Sequence, residues 1–435
     1  MSLCDEEMNI SLHFTFSMET SKSLTYQNTP HNKYHNASLL GKDFEWAVRL
    51  NRYSLEFIGL WPKSEETTSE KRMYNLRALF VFIVMLFAAE IPAIHSLIRI
   101  RSDILLLSDN LQYTLPAATC ILKFPIFWWK KKAVAAIVNM IADDWLKAKT
   151  FQEETTMIAR AQIARTIIKC GYSVMGVNWC VLVVFPIFGH SVRYLSNITD
   201  LERPLPLQTY YVYDTTKSPQ YEVTYALQSI ALIFNVMCYS GIDNFLSLSV
   251  FHISGQLDIL RNRLMHLHNV ANYNDVLKSC VTEHIRLFRA IDHVEDVCNI
   301  LLMILFLYFG ILFGFYGFWI INMLESKQHF TIFLIIYLVS AITSLFGHMC
   351  IYCAVGEMLT TQCDKIYYAA YFNEWYTMDP RKAWNLILLM IRTSRPLYLN
   401  IGKVFPLTMA TFCNLLKTSA GYLSVLLTTT NQSKI

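Results

Sequence analysis

An apolar stretch near the end of the chain, residues 405–430, holds Lys417 and runs into Thr428-Thr429-Thr430-Asn431-Gln432, with Lys403 just before it. Hydrocarbon offers such side chains no partner, whereas a water-filled pore does, so the chemistry these residues suit is contact with ions and water. Residue types suited to covalent chemistry are dispersed instead. The chain has no H-E-x-x-H, no P-loop and no G-x-S-x-G, and its histidines are scattered. No enzyme, metal centre or cofactor is expected. Cys350-x-x-Cys353 has the spacing of a redox pair, but it sits on a helical apolar pattern with no strand beside it and reads as two packed small residues. Eleven cysteines, an odd number at irregular spacing, argue against a disulfide framework. Glu90 and Asp243 fall in or near apolar runs, where an ionisable group is a functional candidate. Glu90 is expected to cap backbone groups freed by Pro92, and Asp243 to be a hydrated carboxylate at the cytosolic end of a span. Gly310-x-x-x-Gly314, with Gly317, makes a small-residue face suited to close helix packing.

The elements that must carry these residues follow from composition and hydropathy. Hydrophobic residues make up 54% of the 435 and charged ones only 16%, against about 25% in soluble domains, which places the chain among membrane proteins. The net charge of +4 is too small to point to nucleic acid. Seven stretches are long enough to cross a bilayer: 78–98, 111–129, 168–190, 222–248, 298–323, 330–355 and 405–430. No repeated period-two pattern supports a β-barrel, so the fold class is all-α, a seven-helix bundle. Residues 1–40 are polar and aperiodic, and 44–62 carry an apolar stripe at helical spacing, expected as an interfacial helix. The first apolar run is expected to serve as the insertion signal, because residues 1–77 hold no signal-peptide core.

Orientation follows from lysine and arginine. With a cytosolic N-terminus, the inside segments 1–77, 130–167, 251–297 and 356–395 hold 26 of them, and the outside segments 99–110, 191–221, 324–329 and 431–435 hold 7. The C-terminus is then extracellular, opposite to a G-protein-coupled receptor. The sequon at Asn197 lies in an outside loop and is expected to be glycosylated, whereas those at Asn9 and Asn36 are cytosolic. The organisation expected is a cytosolic segment 1–77, a six-helix bundle 78–355, cytosolic anchor helices 356–404, and a seventh helix with a short tail, 405–435. Within the anchor, "GEMLTTQCDKIYYAAYFNEWY" (356–376) and "DPRKAWNLILLMIRTSRPLYL" (379–399) both read as amphipathic helices, with Pro380 at the start of the second.

The same C-terminal region resembles the insect odorant receptor family. The resemblance is carried by Gly356-Glu357, Arg395-Pro396-Leu397, Gly402-Lys403, Leu415-Leu416-Lys417-Thr418-Ser419 and Tyr422, and further upstream by "NRYSLEFIGLWP" (51–62) and "RPLPLQTYYVYD" (203–214). Ala420-Gly421 and Asn400-Ile401 depart from the family's usual pairs. The resemblance implies an odorant-gated, non-selective cation channel in the plasma membrane of sensory neurons, tetrameric, with span seven around a central pore. It puts Val425 and Leu426 at the gate and Thr428 and Thr429 at the outer pore. It places a pocket for small volatile ligands in the outer half of spans two to six, where Trp179, Tyr113, Tyr225, Phe313, Tyr316 and Tyr337 lie. The 251–297 loop lacks the long insertion of the family's shared co-receptor, which implies a tuning subunit that joins that co-receptor in a heterotetramer. A gustatory-type channel shares the architecture but usually ends in a TYhhhhhQ pattern, which is missing. A G-protein-coupled receptor has the opposite charge bias and an NPxxY motif, also missing.

Overall fold

A computed structural model describes residues 30–62, 68–147, 149–188, 204–267, 272–325, 332–395 and 397–433. Asn197 lies outside them. The chain is helical nearly throughout: α1 (Pro30–Phe57), α2 (Thr68–Val84), α3 (Ile91–Arg99), α4 (Ile104–Trp129), α5 (Lys131–Leu146), α6 (Phe151–Trp179), α7 (Gln220–Met265), α8 (Tyr273–Glu325), α9 (Ile332–Tyr371), α10 (Pro380–Thr393) and α11 (Met409–Ser433). A π-helical turn, Met85–Glu90, joins α2 to α3, so the two together make the first span. The other spans are α4, α6, α7, α8, α9 and α11. Five of the seven are plainly apolar over bilayer length. The remaining two, α4 and α11, carry polar side chains inside their apolar runs, and those two helices bear on function.

Helix lengths exceed the sequence expectation at one end of the bundle. The 46 residues of α7 and the 53 of α8 span roughly 70–80 Å at 1.5 Å per residue, more than twice the ~30 Å hydrocarbon core. Their surplus projects at the end that carries Lys130–Lys132. There α1 lays Ala47, Val48, Ser54 and Leu55 into the bundle, packing on α5, α6 and α7. Span six and most of the 356–376 segment form one helix, since α9 runs unbroken to Tyr371. Pro380 does start α10, at a position that needs no N–H donor.

Ion pairs tie this basic end together. Asp144 on α5 accepts from Arg286 on α8 at 2.6 Å, faces His252 on α7 at 3.0 Å and meets Lys147 at 3.0 Å. Burial alone would raise its carboxyl, but His252 and Arg286 outweigh that and hold it at about 2. His284 on α8 is buried, and desolvation, aided by the charge of Arg392, pushes it down to about 4. Both groups favour their less protonated forms in the fold, so acid destabilises. The unfolded chain takes up the His284 proton as pH falls from about 6.5 to 4, and the Asp144 proton only below about 4. Thermal unfolding of the purified protein is expected to lose stability between pH 7 and 5 on the order of 1–2 kcal/mol. Substituting His284 with Gln should flatten that slope; an unchanged slope would remove His284 as its source.

The last helix, α11, is aimed by a small hairpin. Asn400–Ile401 pairs antiparallel with Phe405–Pro406, and the turn between them uses Gly402 and Lys403, both with positive φ. Gly402 donates to Asn299 O at 3.2 Å and Asn400 to Glu295 Oε1 at 2.9 Å, fastening the hairpin to α8. The Gly356-Glu357 pair acquires a reason here. Glu357 accepts from the Met409 N–H at 2.9 Å, capping the positive end of α11. A Cβ on Gly356 would sit 2.4 Å from Leu407 O. Gly356→Ala is therefore expected to displace the start of α11 and cost about 1–3 kcal/mol, read as reduced surface expression. Normal expression and gating would show that the contact yields freely.

Two expectations about buried carboxylates do not hold. Asp243 is not a hydrated boundary group: it is buried, and Lys123 of α4, itself fully buried, donates to both its oxygens at 2.9 Å. The Tyr239 ring lies 4.5 Å from the same ammonium. The two partners are 120 positions apart, so neither announces the other. Glu90 does not cap its neighbours, since neither carboxyl oxygen has a hydrogen-bond partner among the described residues. Pro92 lies within the continuous helix of α2, the π turn and α3, and the Ala88 carbonyl four residues before it accepts from the Tyr211 hydroxyl at 2.7 Å instead of from Glu90.

Candidate ligand cavity and pore face

A cavity of about 140 Å³ lies among α4, α6, α7, α8 and α9, in the half of the bundle away from the basic end. Local backbone irregularity makes room for it. Pro116 interrupts the α4 ladder beside the cavity, and Thr119 donates back to its carbonyl at 2.7 Å. On α6 the helix widens into a π turn, Cys180–Val184, directly after Trp179. The lining is mainly apolar and aromatic. Its polar points include Gln112 Nε2 and Asn235 Oδ1, both buried and without a hydrogen-bond partner among the described residues. An aromatic cavity with a few polar points suits a small, mostly hydrocarbon ligand.

Four of the six aromatic candidates meet here. Trp179, Tyr113, Tyr316 and Tyr337 all line the cavity. Tyr113 and Tyr337 stack at 5.7 Å, and the Trp179 indole donates to Ser229 O at 3.4 Å. Tyr225 and Phe313 lie outside the lining. The Tyr225 hydroxyl donates to Val183 O at 2.6 Å, and Phe313 packs against Phe346 with centroids 4.6 Å apart. Sequence reasoning missed Tyr239 and Tyr308, which sit deeper, and the polar Gln112, Asn178 and Asn235. Amides inside apolar runs were the available signal for the last three.

Residues 204–214 of the motif cover the cavity's end of the bundle. Leu207 N donates to Gln228 Oε1 at 3.0 Å, Gln228 Nε2 donates to Thr209 and Tyr211, and Tyr211 reaches Ala88 O at 2.7 Å. Arg99 lies 3.5 Å from the Tyr210 ring centroid.

On α11 the two faces differ sharply. Phe412, Leu415 and Ser419 are buried, and the glycine face of α8 receives them: Ser419 Oγ donates to Gly310 O at 3.2 Å, and a Cβ on Gly317 would lie 2.8 Å from Leu423. The other face, Asn414, Thr418, Gly421, Val425 and Thr428, is exposed in the single chain, Val425 at 60%. These positions recur at three- and four-residue steps, one continuous stripe along the helix. The side chains of Leu426 and Thr429 lie outside the described residues.

The fold and this site define a multi-pass membrane protein with a ligand-sized cavity among its helices and one partly polar span at its flank. A family profile for the 7tm odorant receptors matches residues 103–420, and the chain belongs to that family. It is 22% identical to odorant receptor 9a of Drosophila melanogaster over 395 residues, 88% of this chain and 96% of that one. It is 23% identical to odorant receptor 10 of Aedes albopictus over 221 residues, 49% of this chain and 57% of that one. The fold is similar to the solved structure of the olfactory receptor OR5 of Machilis hrabei in complex with eugenol, with a TM-score of 0.75, 14% identity, and coverage of 91% of this chain and all of that one.

Proposed function

We propose that this chain is the ligand-binding subunit of an odorant-gated, non-selective cation channel in the plasma membrane of sensory neurons, assembled with a co-receptor as a heterotetramer. The observation that carries the reading is α11: its exposed stripe holds Asn414, Thr418 and Thr428, side chains that lipid disfavours and a pore accepts. Four pore helices around an axis, this one among them, put Val425 and Leu426 in a dry constriction, with Thr428 and Thr429 outside it. On this reading the basic end faces the cytosol and Asn197 carries sugar outside. The anchor reading of 356–404 is supported by α10, which buries Leu386 and Leu389 yet leaves Trp384, Leu388 and Ile391 exposed, an apolar stripe free to meet a neighbouring subunit.

The ligand acts by binding the open arrangement more tightly than the closed one; equal affinity would shift nothing. The cavity and α11 both contact α8, through Tyr316 on one side and the glycine face on the other. Movement of α8 on ligand binding is thereby passed to the pore helix. Co-expression with a co-receptor and whole-cell recording against an odorant panel tests the proposal; absence of any evoked current with both subunits at the surface would reject it. In that system Trp179→Ala should raise the half-maximal concentration of agonists about tenfold or more with surface expression intact, from lost aromatic contact of about 1–3 kcal/mol. An unchanged dose response would reduce Trp179 to a packing residue.

A further inference from the structure

Arg165 of α6 is a buried cation without a counter-charge. Its side chain packs where α6 meets α1, and the residue is only 8% exposed. The guanidinium carbon lies 4.4 Å from the centroid of the Trp46 ring on α1. Its Nη1 is enclosed and has no hydrogen-bond partner among the described residues. Burial and the like charge of Arg49, one turn after Trp46, both weigh against its positive form. The carboxylates of α1 give no relief, because Glu45 and Glu56 pair with Arg52. Lys169, four residues along the same face of α6, is exposed and adds a third positive charge. Among the described residues, no ion pair reaches any of the three. A buried charge without a partner is costly, so an anion that settles beside it gains affinity.

We infer that the seam between α1 and α6 binds an anionic phospholipid whose headgroup carries a phosphomonoester. Position favours a lipid over a free anion. Arg165 stands three residues before the apolar run 168–190, at the depth of the phosphate layer, and Lys169 reaches back to that layer by extending its stem. On α1, Tyr53 and Phe57 follow Arg49 at one-turn steps and are 58% and 49% exposed, an apolar strip on which acyl chains can lie. Trp46 and Tyr53 suit the interface between hydrocarbon and water. Charge selects the headgroup. A phosphomonoester brings nearly two negative charges and three acceptor oxygens, and an arginine fork held against Trp46 is oriented to meet two of them. Three cations are over-matched to a headgroup of one charge. With the basic end in the cytosol, this is the leaflet that carries such lipids. The binding requires the membrane fold and not the channel reading.

Native mass spectrometry of the purified full-length protein tests this, with dioleoyl phosphatidylinositol 4-phosphate, dioleoyl phosphatidylcholine and soluble inositol 1,4-bisphosphate as probes. The phosphoinositide should bind about tenfold or more tighter than phosphatidylcholine, and about tenfold or more tighter than the soluble headgroup, which has no acyl chains to bury. Arg165→Gln should lower phosphoinositide affinity about tenfold or more. In detergent without anionic lipid that variant should be at least as stable to heat as the parent, since it removes a stranded charge. Arg49→Gln, at an exposed position that folding does not depend on, should lower the affinity about fivefold. Lys132→Gln, an exposed cation elsewhere at the basic end, should change nothing. Equal binding of the two lipids, or an Arg49 variant that binds like the parent, would overturn the inference. A Lys132 variant that loses as much as the Arg49 variant would replace the site with general basic attraction. A soluble headgroup that binds as tightly as the lipid would make the ligand a free phosphate and overturn the lipid assignment.

Discussion

Lys123→Met is expected to destabilise the protein by about 3–5 kcal/mol, because it strands the Asp243 carboxylate in the bundle interior. That is a large part of the stability of an ordinary domain, so little of the variant should reach the cell surface. The paired change, Lys123→Met with Asp243→Leu, should recover most of the loss, since neither charge is then left alone. Surface labelling together with thermal unfolding of the purified protein reads both effects. Two outcomes would count against this account of the pair: a single variant as stable as the parent, or a double variant no better than the single. Arginine is not a safe replacement for Lys123. Its forked guanidinium needs more room than a fully buried ammonium site beside the Tyr239 ring provides.

The second large effect belongs to Val425. On the pore reading proposed for α11, a ring of this residue from several subunits holds ions back because water does not fill a narrow apolar collar. Val425→Ala removes about two methylene equivalents per subunit, roughly 1.6 kcal/mol of apolar contact where those groups meet only in the closed state. Ligand-independent current should rise on the order of tenfold, and Val425→Ser should raise it further by letting water in. Recordings at rest, with the co-receptor present and surface expression matched, measure it. Resting and evoked currents equal to the parent's would take Val425 out of the gate.

Hydropathy revealed the helices because bilayer thickness imposes a length on every span, whatever the partners. It could not reveal how far α7 and α8 continue, since residues beyond the lipid need no apolar run to stay helical once packed. The site was legible in part for a similar reason. Trp179, Tyr113, Tyr316 and Tyr337 stand out as aromatics in the outer half, yet Tyr225 and Phe313 have the same signature and sit outside the cavity. Which way a ring points depends on the rotation of its helix, and that is fixed by neighbours distant in sequence. Lys123 with Asp243, and Glu357 with Met409 N, are joined across 120 and 52 positions. Only the folded chain brings such pairs together. Gly356 and Gly310 carried a clearer message, because glycine inside an apolar helix usually marks a close approach by another chain segment.

The central claim is that α11 turns one stripe toward water and the other toward α8. A cysteine scan along α11, in a Cys413→Ser background with a membrane-impermeant thiol reagent applied during odorant-evoked current, tests it most directly. Cysteines at Thr418, Gly421, Val425 and Thr428 should alter the current on modification, and those at Leu415, Ser419 and Leu423 should not. Modification without effect along the first stripe, or equal effects on both stripes, would contradict the account.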